Sequence, residues 1–367
     1  METGTMSAAG LNKKGLQPKQ HYEVLDGLRG IAAIVVVLYH FMEMFISDYS
    51  KNFAGHGFLA VDFFFCLSGF VIAYAYDSRI ATMGLKEFFI ARIIRLHPLV
   101  LLGTILGLLA FLFDPFLAVP AGYNAGRIIV IFIASALLIP FPVMAERSFN
   151  QFGLNAPAWS LFWEYVANIV YATLLYRLNK HILLILAIIS AAALCYVGYS
   201  AGNLMGGWGK DTWWHGGVRV AYSFLAGMLV YRYQFIIKNK IGFVGISILL
   251  LCGLLLPSFK LNALAELLVI IFYFPLIVAL GAGCLPGTYA ARACNISGKI
   301  SYPLYMTHYA ALFIFLNYYN LYKPDTTQLV IIISCAIPAL TAFAFLVMKF
   351  YDEPVRKYLT ALWKRSR

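Results

Sequence analysis

A histidine lies inside an apolar run near the beginning of the chain. The run from Ile31 to Tyr39 leads directly into His40, and Arg29 precedes that histidine by eleven residues. On a helix the two side chains share one face and lie about 16 Å apart along the axis. If Arg29 marks one membrane surface, His40 lies roughly halfway through the ~30 Å hydrocarbon core. Because a bare histidine in lipid is costly, we expect its ring to face the bundle interior or a water-filled cavity.

A neutral imidazole in such a cavity can remove the proton from a hydroxyl group, which is general-base chemistry. A packed histidine that is hydrogen-bonded to a neighbouring helix is the alternative for His40. Two acids could support the base. Asp62 lies in the apolar run 58–76, and it could orient His40, contact an acceptor, or be a helix-end residue in headgroup water. Glu164 lies four residues after Ser160, on the same helical face, and could hold His40 or the acceptor hydroxyl.

Paired arginines indicate a phosphate site. Arg92 and Arg95 are three residues apart, so on a helix they share one face, and guanidinium groups match phosphate oxygens well. Arginines at a cytoplasmic span boundary are equally an orientation signal. Arg29 likewise could anchor its helix or face a cavity, and Asp26 is near enough in sequence to pair with it.

The composition is that of a membrane protein. Of the 367 residues, 62% are hydrophobic and only 12% are charged, against about a quarter charged in soluble domains. We attribute the formal charge of +12 to orientation signals and to attraction by anionic lipid rather than to nucleic acid. The six cysteines have no paired metal-type spacing, so we expect no metal site.

Apolar segments predict an all-α, polytopic transmembrane helix bundle. We expect one membrane domain (23–350) between a flexible, basic cytoplasmic tail (1–22) and a basic C-terminal tail (351–367) that is also cytoplasmic. With both termini on the cytoplasmic side, the number of membrane crossings must be even. The eleven apolar segments would give an odd number of crossings. When the basic loops are placed on the cytoplasmic side, the topologies counted from the two ends of the chain disagree only between residues 114 and 157. We therefore predict ten crossings plus one re-entrant or tilted element, 126–142, which could line the site. The eleven segments are 29–47, 58–76, 96–113, 126–142, 158–178, 182–201, 216–234, 242–256, 264–283, 298–320 and 329–350.

One outward loop, 202–215, contains three tryptophans, Trp208, Trp213 and Trp214. Tryptophans at a membrane boundary usually form an interfacial belt. The alternative is a platform on which a sugar ring stacks.

Six motifs in order resemble those of the membrane-bound acyltransferase-3 family, over roughly residues 22 to 357. Members of that family pass an acyl group, commonly acetyl from acetyl-CoA, to carbohydrates and some other acceptors. The motifs are Leu25-Asp26-Gly27-Leu28-Arg29 with His40, Asp62-Phe63-Phe64-Phe65 with Leu67-Ser68-Gly69-Phe70, Arg92-Ile93-Ile94-Arg95-Leu96-His97-Pro98, Trp159-Ser160-Leu161 with Glu164, Ile300-Ser301-Tyr302 through His308, and Tyr351-Asp352-Glu353-Pro354.

The resemblance implies an O-acyltransferase of the plasma (inner) membrane that modifies an extracytoplasmic glycan or glycolipid with an acyl group from cytoplasmic acyl-CoA. It implies His40 as the general base, and Glu164 and Asp62 are the candidates for its catalytic partners. A proton-coupled transporter and a flippase-like protein without acyl chemistry are the competing readings. The residues that would contact the donor are Arg29, Arg92, Arg95, Ser68, Trp159, Ser160, Tyr302 and His308; for His308 a purely structural role is the alternative.

Two substrates from opposite sides would have to meet at one histidine. The position of His40 therefore predicts a continuous polar passage, open inward near Arg29, Arg92 and Arg95 and outward near Asp62 and the 202–215 loop. We expect this passage to be narrow at His40, since a wide one would leak protons and ions.

Replacing His40 tests its role directly. We expect His40→Ala to lower acyl transfer about 10²- to 10⁴-fold, the usual contribution of general-base catalysis, while insertion and folding are retained. The measurement is turnover of purified protein whose monodispersity matches the wild type. Near-normal turnover in a well-folded variant would remove His40 from the chemistry.

Overall fold

The computed structural model describes residues 21–46 and 48–366. Within these residues the regular secondary structure is helical and contains no strand, which confirms the predicted all-α bundle. Each of the eleven predicted apolar segments contains a helix. The helices are α1 (Glu23–Glu43), α2 (Ala60–Tyr76), α3 (Ile80–Met83), α4 (Leu85–Leu112), α5 (Ala125–Ala136), α6 (Ala158–Thr173), α7 (Lys180–Ala201), α8 (Trp213–Arg232), α9 (Gly242–Leu254), α10 (Asn262–Leu268), α11 (Phe274–Gly283), α12 (Thr288–Tyr322), α13 (Thr326–Val347) and α14 (Glu353–Arg365).

Short π-helical turns join α10 to α11 and α13 to α14. The predicted C-terminal tail is therefore mostly a continuation of helix, whereas the predicted N-terminal tail lies almost wholly outside the described residues.

Six helical stretches in the described part of the chain are long and apolar enough to cross a membrane. The chain is thus a multi-pass membrane protein. Helix α5, in the segment that we predict not to cross, has 12 residues. At 1.5 Å per residue it is about 18 Å long, well short of the ~30 Å hydrocarbon core. The length fits the prediction, although α9, with 13 residues, is equally short, so the number of crossings stays a prediction.

Helices α1 and α12 form the most extensive contact between two helices in the described chain. A Cβ atom built on Gly30 would collide with Ser297, whose backbone oxygen would lie only 2.8 Å away. One built on Gly298 would lie 2.6 Å from the Cβ atom of Asp26. Small residues at these positions let the two backbones approach closely, as in other membrane helix pairs. The contact fixes the position of α1 relative to α12.

Helices α2 and α8 are held together by a buried ion pair. The Arg219 guanidinium donates to the Asp62 carboxylate at 2.6 Å, and the two side chains are 1% and 0% exposed. Arg219 also donates to the backbone oxygens of Gly206, at 2.8 Å, and Phe58, at 3.3 Å. Asp62 is therefore neither in headgroup water nor in contact with His40. The Asp62 carboxylate is therefore paired with Arg219 and does not orient His40 as predicted.

The irregular segment 137–157 after α5 folds back into the bundle. Its backbone is tied to itself by the bond from Phe141 N to Gln151 O, and to the tryptophan-containing loop by the bond from Gln151 N to Trp208 O, both 2.9 Å. Residues 150–161 are buried. Irregular backbone at membrane depth requires such protein partners. This segment, rather than α5 itself, contributes residues to a large cavity.

Breaking the α2–α8 ion pair should destabilise the protein. Arg219→Met leaves the Asp62 carboxylate buried without a partner, so we expect a loss of about 3–5 kcal/mol in the free energy of unfolding. Denaturant unfolding in detergent measures it. The double variant Arg219→Met/Asp62→Leu removes both charges and should recover most of the loss. A single variant as stable as the wild type would contradict the buried pair.

Candidate active site

Two cavities lie on either side of the bundle centre. The larger, about 430 Å³, is here called the histidine cavity because His40 and Glu43 line it. The smaller, about 190 Å³, is called the arginine cavity because Arg29, Arg92 and Arg95 line it. Helix α1 runs past both, with Arg29 in one and His40 in the other. Arg29 and His40, which are predicted to share one helix face, therefore lie in two different cavities.

A thin wall of side chains divides the cavities. Val61 and Tyr305 line both of them. On the arginine side, the Ser160 hydroxyl and the Tyr305 hydroxyl are hydrogen-bonded at 2.8 Å. The predicted continuous passage is therefore wrong for this structure, and its closure lies at Tyr305 rather than at His40. Hydropathy could not indicate this, because the wall is built by side chains from three helices.

His40 has an acidic partner one helical turn away. Its Nδ1 lies 2.5 Å from Oε1 of Glu43, and both side chains are partly exposed to the histidine cavity. A carboxylate accepts hydrogen bonds, so this contact favours the tautomer in which Nδ1 carries the hydrogen. This leaves Nε2 with the free lone pair, which is the arrangement a general base needs.

Rings on α12 fix the orientation of the His40 imidazole. His308 stacks on it with centroids 5.5 Å apart, and Tyr309 meets it edge-on at 5.0 Å. His308 is fully buried and lines neither cavity. Its Nδ1 donates to Leu304 O at 2.9 Å, and its Nε2 has no hydrogen-bond partner within the described part of the chain. His308 thus lies behind His40, away from the arginines with which it was grouped in the predicted donor site.

The three predicted arginines differ in what they bind. Arg29 donates to Asp26, as predicted, at 2.8 Å, and also to Ser301 at 3.0 Å. Arg92 donates to Oε1 of Glu164 at 2.8 Å. Arg95 makes no hydrogen bond or ion pair to any described side chain or carbonyl. The free cation of the arginine cavity is therefore Arg95.

Glu164 lies in the arginine cavity and not beside His40. Besides Arg92 it accepts from the Ser68 hydroxyl at 3.0 Å. The acid beside His40 is Glu43, and not Glu164 or Asp62 as predicted. The spacing of three residues between His40 and Glu43 on one helix was the available signal for this pair.

The remaining predicted donor residues divide between the cavities. Ser160 and Tyr302 line the arginine cavity, where the Tyr302 hydroxyl donates to Leu96 O at 2.6 Å. Trp159 lines the histidine cavity instead. Trp208, from the predicted tryptophan loop, joins it there, while Trp213 stacks on Trp163 at 5.3 Å. The histidine cavity thus combines an imidazole with two indole rings.

The described bundle thus places a cavity histidine next to a separate cationic cavity. A family model described as an acyltransferase domain matches residues 22–349. The chain belongs to this acyltransferase-3 family.

Two relatives illustrate the similarity. The chain is 35% identical over 164 residues to "Protein 2 in picA locus" of Rhizobium radiobacter, covering 42% of this chain and 83% of that protein. It is 26% identical over 364 residues to O-acetyltransferase OatA of Staphylococcus aureus, covering 91% of this chain and 57% of OatA. The alignment thus spans little more than half of OatA. No solved structure matches the chain.

The carboxylate of Glu43 should matter for turnover. We expect Glu43→Gln to lower the rate of acyl transfer roughly 10- to 10⁴-fold, because an amide no longer favours the tautomer with a free Nε2 or stabilises the imidazolium. The measurement is turnover at saturating donor. Glu23→Gln, on the same helix but outside both cavities, is the matched control. Equal rates for the two variants would contradict the pair.

Proposed function

We propose that the protein is a membrane O-acyltransferase that moves an acyl group, acetyl in the simplest case, from cytoplasmic acyl-CoA to a hydroxyl of an extracytoplasmic glycan or glycolipid. The observation that carries the proposal is the His40–Glu43 pair in a cavity that lies back to back with a cationic cavity. Membership of the acyltransferase family supports the reaction class, and the similarity to an O-acetyltransferase supports acetyl as the group.

The arginine cavity is the proposed donor site. Coenzyme A carries phosphate groups, and Arg95 offers a guanidinium without a protein partner. The cavity, at about 190 Å³, is smaller than the ~300–1,000 Å³ typical of sites for drug-sized ligands. It therefore suits the narrow acyl-pantetheine arm, while the nucleotide remains at the mouth. The basic loops near Arg92 and Arg95 favour a cytoplasmic mouth.

The histidine cavity is the proposed acceptor site. There, Nε2 of His40 takes the proton of the acceptor hydroxyl as its oxygen bonds to the acyl carbon. The carbon–sulfur bond of the thioester then breaks, and CoA leaves as the thiolate. Glu43 stabilises the imidazolium that forms, and the proton returns to the thiolate or to water.

The wall between the cavities must open during each transfer. Its polar part is the hydrogen bond between Ser160 and Tyr305, worth about 0.5–1.5 kcal/mol net, and the Tyr305 ring also packs near Phe64 and His308. We propose that rotation of Tyr305 admits the acyl group while CoA stays on its own side. A closed wall between turnovers limits leakage of ions.

The defining experiment uses the purified full-length chain with labelled acetyl-CoA and a panel of oligosaccharide acceptors. We expect release of free CoA thiol and labelling of an acceptor, both lost in His40→Ala. A transporter or flippase would leave the thioester intact, and that result would overturn the proposal.

The donor arginines can be told apart by a double-mutant cycle. Both Arg95→Gln and Arg92→Gln should raise the donor KM about tenfold or more, as expected for a lost charge-assisted contact. For Arg92 much of the effect comes from leaving the Glu164 carboxylate unneutralised near the phosphates. Adding Glu164→Gln should therefore rescue Arg92→Gln but not Arg95→Gln. If no combination is rescued and Glu164→Gln alone abolishes turnover, Glu164 has a catalytic role instead.

A further inference from the structure

A cation in the histidine cavity has no role in the chemistry described so far. Arg147, on the irregular segment after α5, lines this cavity and is only partly exposed. Its guanidinium lies 3.3 Å from the ring centroid of Phe313. Stacking on an aromatic face holds an arginine in place while leaving its N–H donors, which lie in the guanidinium plane, available.

Arg147 has two acidic neighbours, Glu146 and Asp114, but forms an ion pair with neither. None of the described acidic side chains lies within ion-pair distance of it. The carboxylate of Asp114, which lines a small recess together with Arg147, instead accepts from Asn317 at 2.7 Å. Glu146, the exposed sequence neighbour of Arg147, lines both this recess and the histidine cavity but forms no ion pair with the guanidinium. Arg219, the other arginine of the cavity, is by contrast fully engaged by Asp62.

A ladder of rings connects this cation to the base. Phe313 meets Tyr309 edge-on at 4.8 Å, and Tyr309 meets His40 at 5.0 Å. Tyr309 and Phe313 are four residues apart on α12, which is about 6 Å along the axis. Arg147 and His40 are therefore separated by a distance that one or two sugar residues can bridge.

We propose, on the basis of the proposed function, that Arg147 forms an anion subsite of the acceptor cavity and that the acceptor glycan carries a carboxylate or phosphate group close to the hydroxyl that is acylated. A guanidinium binds either group through paired N–H donors. Trp208, in the same cavity and partly exposed, offers a ring against which the sugar packs. The subsite selects acidic glycans and positions the neighbouring hydroxyl at His40.

Binding is tested without the donor, by protection of arginines from phenylglyoxal, read by mass spectrometry on the full-length protein in neutral lipid nanodiscs. The probes are a glucuronate-containing oligosaccharide, its carboxyl-reduced counterpart, a sugar phosphate, and vesicles of phosphatidylglycerol. We expect the two anionic sugars to protect Arg147 at concentrations about tenfold or more below the neutral one. Arg127 is the internal control, because it stacks on Tyr123 at 4.3 Å in the same way but lines neither the histidine nor the arginine cavity.

The outcomes separate the subsite from the proposed function. Equal protection by the charged and the neutral oligosaccharide, or protection by vesicles alone, overturns the subsite. Acyl transfer then supplies the second readout: Arg147→Gln should lose the preference for charged over reduced acceptor, Arg147→Lys should keep part of it, and Arg127→Gln should keep it all. A wild-type preference that survives in Arg147→Gln also overturns the subsite. Protection of Arg147 in a protein that never consumes acetyl-CoA would sustain the subsite and overturn the acyltransferase proposal.

Discussion

The close contact between α1 and α12 is the constraint on which the rest of the site depends. Gly30 and Gly298 leave no room for a side chain between the two helices, so their backbones approach closely along much of α1. At one end this places Arg29 on Ser301, and at the other it stacks His40 on His308. Since both cavities share this helix pair as a wall, a change in its spacing would alter both cavities together.

The charged groups within the bundle differ in whether they have a partner in the protein. Asp62 and Arg219 satisfy each other completely and join α2 to α8, which is how a charge persists at low cost inside a membrane protein. Arg95 and Arg147, each lining a different cavity, have no such partner among the described residues. Unpaired cations of this kind are poised for ligands, and the proposed donor phosphates and acidic acceptor would supply the missing charge.

The wall between the cavities reconciles two requirements that conflict. In the proposed reaction an acyl group has to cross between compartments, yet an open passage would let ions through. Tyr305 and Val61 line both cavities and close the gap between them, and the bond from Ser160 to Tyr305 is the polar contact within it. A single rotating side chain can open such a wall transiently, whereas moving whole helices would break the α1–α12 contact.

The sequence by itself determined the all-helical membrane bundle, the separation of Arg29 from His40, and the shared face of Arg92 and Arg95. These features follow from hydropathy and helical periodicity, which are local properties of a chain. Only the tertiary structure decided which acid meets which base. Glu164 joins Arg92, 72 residues away, and Asp62 joins Arg219, 157 residues away, so neither reaches His40. Such pairings depend on how helices distant in sequence are arranged, and periodicity within one helix carries no information about that arrangement.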